Sequence, residues 1–192
     1  MNPARENILN RVRVALRNPA HRPPMPTDSP VFPPVTDLEK RFGEELAVLR
    51  GEILPTRSDL TQFLAQFKRM ATDGSALVRE AVGEANAGVR DCDLGVTACD
   101  CLVAQTGSIV VSTRSAGGRA LSVLPPVHLV IARRDQLLPA LNAAMTLLRQ
   151  RYGGRWPSSL SVITGPSRTA DIEKILVLGA HGPKRLAVHF LA

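Results

Sequence analysis

Aromatic residues are scarce in this chain: one Trp, one Tyr and five Phe make up 4% of its 192 residues. A core must be packed from Val, Leu, Ile and Ala, and a stacking platform for single-stranded nucleic acid, which needs rings interleaved with basic side chains, is not available. Long apolar runs are missing too. No stretch approaches the ~18 consecutive apolar residues of a membrane span, and the start, MNPARENILNRV, lacks the apolar centre of a secretory signal, so a cytoplasmic location is the expectation. Cysteine is limited to Cys92, Cys99 and Cys101. An odd number of thiols crowded into one short segment argues against a disulfide framework. They also fall short of the four thiolates an iron–sulfur cluster normally takes, and no Cys-x-x-Cys-x-x-Cys run is present, so no cofactor is expected in this chain. A zinc site with Asp91 or Asp93 as fourth ligand is one alternative use of the thiols, and plain burial is the other.

What the chain has in excess is positive charge and proline. Basic residues outnumber acidic ones 24 to 17, for a net charge of +7 and an isoelectric point near 10.1. The basic residues are mostly dispersed arginines, so they read as a solvated surface that favours acidic partners rather than as a nucleic-acid groove. Residues 1–18 form a helical arm: Asn2 and Pro3 suit a helix start, and Ile8, Leu9, Val12, Ala15 and Leu16 recur at helical spacing, with Arg5, Arg11, Arg13 and Arg17 mostly off that stripe. Residues 19–35 are dense in proline, which removes backbone donors and fixes φ, so this segment reads as an extended tether. The folded domain is placed at 36–192.

Within that domain helical and strand patterns alternate, which points to an α/β fold. Leu38, Phe42, Leu46 and Leu49 predict a helix stopped by Gly51; Glu52 to Pro55 reads as a short strand. Ser58 is the expected cap of a helix carrying Leu60, Phe63, Leu64 and Phe67, and Ala76 to Val78 the expected strand after it. LVAQTGSIVV (102–111) and VHLVIA (127–132) are β-branched apolar runs, read as core strands, with turns at Gly117-Gly118 and Pro125-Pro126 between them. Pro139 to Leu148 is predicted helical, Leu160 to Ile163 a strand, Ala170 to Ile175 a short helix, and Leu186 to Leu191 the last strand.

The segment SVITGPSRTADIEK thus places a strand, the loop Gly165-Pro166-Ser167-Arg168-Thr169 and a helix in succession. Such a loop can hold an anion, because free N–H groups and the positive end of the helix dipole face it and Ser167, Arg168 and Thr169 add donors. The same residues also suit a simple turn and helix cap, with Asp171 and Glu173 complementing the dipole. His128 and His181 are the histidines with candidate roles. No Ser/His/Asp or Cys/His set, dinucleotide fingerprint or P-loop is readable.

Two stretches carry a resemblance. TGPSRTADIEKILVLGAHGPKRLAVHFL resembles the C-terminal signature of the LutC-type lactate-utilisation family, built on one LUD domain, at Thr164 to Glu173 and at Val177, Gly179, His181, Gly182 and Pro183. GVTACDCLVAQTGSIVVST resembles the family's other signature through Gly95, Thr97, Asp100, Ala104, Thr106 and Gly107, with Gln105 and Ser108 standing where the family more commonly has Glu and Thr. Gln105 removes a carboxylate that could have moved protons. Leu124-Pro125-Pro126-Val127-His128 matches a third family stretch.

The resemblance implies a three-layer α/β fold with a mainly parallel sheet, like that of the sugar-phosphate isomerase, CoA-transferase and formyltetrahydrofolate cyclo-ligase group. In such sheets ligands bind beyond the carboxyl ends of the strands, where the Thr106-Gly107 turn and the Ser167-Arg168 loop are expected to meet. It further implies an accessory component of an L-lactate oxidation system, and the residues themselves suit a binding role, as a non-catalytic subunit, better than a catalytic one. Its partners would be two iron–sulfur proteins, the LutA- and LutB-type components, that carry the redox centres. The expected ligand-holding residues are Thr97, Thr106, Gly107, Ser108, His128, Gly165, Ser167, Arg168, Thr169 and His181, around an anionic group. The alternative is an autonomous enzyme of transferase or ligase type acting on a carboxylate, phosphate or CoA-linked substrate. A homo-oligomer is compatible with either.

Overall fold

The structure is a computed structural model that describes residues 3–17, 33–114, 119–170, 176–178 and 182–191. It divides into two units, residues 1–33 and 34–192. The described part of the first is one helix, α1 (Pro3–Leu16), which buries none of its residues; the expected cap Asn2 lies outside the described residues.

The second unit is built on a five-stranded parallel sheet. Its strands are β1 (Glu52–Leu54), β2 (Met70–Thr72), β3 (Leu94–Ala98), β6 (Val127–Arg133) and β11 (Arg185–Leu191), in the spatial order β1-β11-β6-β3-β2. This is the mainly parallel α/β fold that the sequence implies. A second, four-stranded sheet runs β7 (Leu137–Leu138), β4 (Cys101–Val103), β5 (Ser108–Ser112), β8 (Leu160–Ile163), antiparallel except for the β4–β7 pair. A small antiparallel pair joins β9 (Arg168–Ala170) to β10 (Leu176–Leu178).

Three apolar clusters hold these layers together. Helices α3 (Arg57–Leu64) and α4 (Ala76–Val82) put Leu60, Phe63, Val78 and Ala81 against Leu94, Val96, Leu129 and Ile131 on one face of the parallel sheet. On the other face Val130, Ala132, Leu186, Val188 and Phe190 meet Leu102, Ile109 and Val111 of the second sheet. Helix α2 (Leu38–Val48) contributes Phe42 and Leu46 to this middle cluster, and the Phe42 ring meets Phe190 edge-on at 6.1 Å. Phe42 and Leu46 are wholly buried, and each such burial stabilises by roughly 1.5–3 kcal/mol. Helix α5 (Leu141–Tyr152) covers the outer face of the second sheet through Ala144 and Leu148, against Cys101, Val103 and Val110.

Several local expectations are corrected. Ala76 to Val78 is the first turn of α4, because Ser75 accepts the Val78 N–H as an N-cap and Val78 and Ala81 share the buried face; the strand lies earlier, at Met70–Thr72. Thr56 rather than Ser58 caps α3, through a reciprocal pair with Asp59. The 102–111 run is two antiparallel strands, since Gly107 takes φ +60° and reverses the chain. Arg168 to Ala170 is extended in β9, so the Gly165 loop does not lead straight into a helix at Ala170. The dipole argument for an anion at that loop therefore loses its basis. Residues 171–175 lie outside the described residues.

Candidate functional site

Parallel strands β3 and β6 carry the first pair of predicted site residues. Thr97 faces the same side of the sheet as His128, and Thr97 Oγ1 lies 2.9 Å from His128 Nε2, both side chains fully buried. His128 Nδ1 is also buried and has no hydrogen-bond partner among the described residues. Of the two neutral tautomers, the one with Nε2–H donating to Thr97 leaves Nδ1 as a bare acceptor, which costs less than a stranded donor. Burial alone pushes the imidazole pKa down from 6.5 to about 4, so the ring is neutral at physiological pH. Beside it, Gly95 admits the backbone of the preceding segment: a Cβ there would stand 2.6 Å from the Leu121 carbonyl oxygen and 2.7 Å from Pro125 Cγ. That close approach accounts for a glycine at this place in the motif.

The second group is a chain of hydroxyls. Thr106 Oγ1 and Ser108 Oγ are 2.7 Å apart, and Ser108 Oγ and Thr164 Oγ1 2.8 Å, so the β4–β5 turn is joined to the end of β8. The expected convergence of the Thr106-Gly107 turn with the Gly165 loop is therefore present. Both rest on the last turns of α2: a Cβ on Gly107 would meet Leu46 N at 2.6 Å, and one on Gly165 would meet Leu49 Cβ at 2.9 Å and the Leu49 carbonyl at 3.0 Å. The Ser167 N–H donates to the Pro183 carbonyl, and the Lys184 N–H to that of Pro126, which ties this region to the starts of β11 and β6.

This meeting point lies at the amino ends of the parallel strands, not beyond their carboxyl ends as expected. The reason is directional. Helix α2 runs antiparallel to β1, so its C-terminal turn stands where the sheet begins, and the loops pack on that turn. A helix C-terminus presents free carbonyls and partial negative charge, which favours donors and cations. The donors in this region are the hydroxyls and Arg168, which is exposed and whose Nη2 would stand 3.2 Å from a Cβ on Gly165. Thr169 is in β9 with its side chain outside the description, and His181 lies outside the described residues.

A third polar group was not singled out from sequence. Asp100, 1% exposed at the turn from β3 to β4, accepts from the Tyr152 hydroxyl and from Arg151 Nη1 at 3.2 Å, while Arg151 also donates to the Asp100 carbonyl at 3.0 Å. Ser112 Oγ lies 2.9 Å from the same Tyr152 hydroxyl. Burial, and next the Asp100 carboxylate, hold the Tyr152 phenol above its usual pKa. The available signal was a lone acid inside the otherwise apolar run TACDCLV, which can be buried only if paired.

The cysteines do not converge. Cys92 packs with Ala71 and Leu121, Cys99 in the cluster between the sheets, and Cys101 against α5. Burial raises all three thiols, Cys101 to about 11. The zinc alternative with Asp93 fails on geometry, since that carboxylate pairs with Arg69 at 2.8 Å, and no group of three metal-ligating side chains exists among the described residues.

Fold and site together define an α/β domain whose motif residues join its segments at the amino edge of a parallel sheet. The chain belongs to the LUD domain family, whose profile matches residues 38–191. It is 35% identical over 97 residues to Lactate utilization protein C of Geobacillus kaustophilus, an overlap of 50% of this chain and 40% of that one. To Lactate utilization protein C of Halalkalibacterium halodurans it is 34% identical over 116 residues, 59% of this chain and 47% of the relative. The chain thus spans less than half the length of these two relatives. Its fold is shared with the crystal structure of a DUF162 family protein from Deinococcus radiodurans, with a TM-score of 0.56, 20% identity, and coverage of 81% of this chain and 96% of that one. No helix among the described residues is long and apolar enough to cross a membrane.

Proposed function

We propose that this protein is an accessory component of an L-lactate oxidation system, acting with iron–sulfur partner proteins that carry the electrons while this chain holds a partner or an anionic ligand. The observation that carries the reading is the family match across residues 38–191 combined with relatives named for lactate utilisation. The polar side chains add support. The hydroxyls of Thr106, Ser108 and Thr164 form a bonded chain, and the neutral His128 bonds Thr97, an arrangement suited to holding shape.

Deleting the gene in its host should abolish growth on L-lactate as sole carbon source while leaving growth on pyruvate intact, and the full-length gene should restore it. Normal growth of the deletion strain on L-lactate would end this reading. Purified chain that oxidises lactate, or turns over a CoA ester, with no partner present would favour the autonomous-enzyme alternative.

The ligand half of the proposal turns on Arg168. Arg168→Ala should weaken binding of lactate, phosphate or CoA, whichever the wild type binds, about tenfold through loss of a charge-assisted hydrogen bond, with the melting temperature unchanged. Calorimetry and a thermal melt on the same sample check it; equal affinity for all three anions, with a lowered melting temperature, assigns Arg168 a purely structural part.

A further inference from the structure

Helix α1 carries an apolar stripe. Ile8, Leu9, Val12, Ala15 and Leu16 follow the i, i+1, i+4, i+7, i+8 pattern of one helix face, and Ile8, Val12 and Leu16 are 61%, 49% and 71% exposed. Arg11 and Arg13 flank the stripe on its two sides, and Arg5 stands at its amino end. A 14-residue helix is marginal in water on its own, so a stripe of this kind gains most of its stability from what it packs on.

We infer that α1 is a docking helix whose stripe enters an apolar groove rimmed by carboxylates on a partner protein. Charge selects the partner. Arg5, Arg11, Arg13, Arg17 and Arg22 against Glu6 and Asp28 give the first 33 residues +3 of the chain's +7, which leaves +4 for the rest. A second copy would therefore meet the arm with charge of the same sign, whereas an acidic rim would attract it and speed encounter. Composition selects protein over membrane: helices that lie on a bilayer anchor with Trp, Phe and Leu, and α1 has no aromatic residue and a stripe of small or β-branched side chains with two Leu. Short aliphatic anchors one turn apart suit a helix laid in a groove.

This inference rests on the accessory-subunit reading and specifies which part of the chain makes the contact. The test uses the full-length protein and, as probes, the LutA- and LutB-type iron–sulfur proteins of its host, immobilised in turn. Val12→Asp places a charge in the stripe and should weaken binding about tenfold or more; Val14→Asp, 59% exposed in the wild type on the other face, should change it less than about twofold. Reversing Arg11, Arg13 and Arg17 to Glu together should weaken binding at least as much and remove its dependence on salt. Vesicles of phosphatidylcholine with about one-third phosphatidylserine should leave the wild type in the supernatant. Partner binding that Val12→Asp does not alter would overturn the docking role while leaving the accessory reading standing. Vesicle binding lost in Val12→Asp would assign the stripe to a membrane surface instead. A wild type that binds none of the probes overturns the inference and, for these partners, the accessory reading with it.

Discussion

Gly107→Ala is expected to cost about 2–5 kcal/mol of folding stability, a large change from one methyl group. Two penalties add. The residue sits at φ +60°, where a side chain brings roughly 1–2 kcal/mol of steric strain. The new Cβ would also stand 2.6 Å from Leu46 N and 2.8 Å from the Glu45 carbonyl carbon, both backbone atoms of α2 that cannot rotate away. Forcing them apart adds about 1–3 kcal/mol. For a protein of this size the melting temperature should fall by roughly 5–15 °C. Gly74→Ala is the control: it shares a positive φ of +70° but has nothing within 4 Å of the added atom, so it carries the backbone penalty alone. Equal destabilisation by the two substitutions would show that the packing of the turn on α2 contributes nothing.

Acid should destabilise the fold through His128 in a definite window. Its folded-state pKa of about 4 lies below the unfolded value of 6.5, so folding excludes the proton. The neutral ring's contribution is complete above pH 6.5, shrinks by up to about 1.4 kcal/mol per unit as pH falls, and is gone below pH 4, a total of about 3 kcal/mol. His128→Gln removes the titration while keeping a group able to bond Thr97. Its baseline stability should be lower, and its urea midpoint should vary far less between pH 6.5 and 4.5 than that of the wild type. Parallel pH profiles in the two proteins would mean that some other group takes up the proton. The depressed carboxylates Asp59 and Asp93 lose their contributions only as pH falls further, below the ordinary carboxylate range, so they do not blur this window.

What could be read from the chain alone follows the range of the interactions involved. The stripe Leu38, Phe42 and Leu46 has one periodicity and one face, and α2 is where it says. The apolar run 127–132 has nowhere to go but the centre of a sheet, and β6 is that strand. Ala76 to Val78 was ambiguous because three apolar residues fit either element; the Ser75 cap and Ala81 one turn on decide for a helix. Thr106, Gly107 and the Gly165 loop were legible as candidate segments, and the chain does bring them together. Their position at the amino ends of the strands depends on the direction of α2 and on a strand order that places the last strand between β1 and β6. Those are long-range facts with no local signature. Asp100 was legible as a motif residue but its partners were not: Arg151 and Tyr152 are some fifty positions away, and nothing near it announces them.

The scattering of the thiols among three apolar clusters makes the protein its own reporter of unfolding. Cys99 and Cys101 are buried on opposite faces of the second sheet and Cys92 in a small cluster with Ala71 and Leu121, each thiol held in the protonated, unreactive form, so a labelling reagent must wait for that cluster to open. The order in which Cys92, Cys99 and Cys101 are modified is then a clock for which sheet face loosens first, and it can be read without adding a single probe.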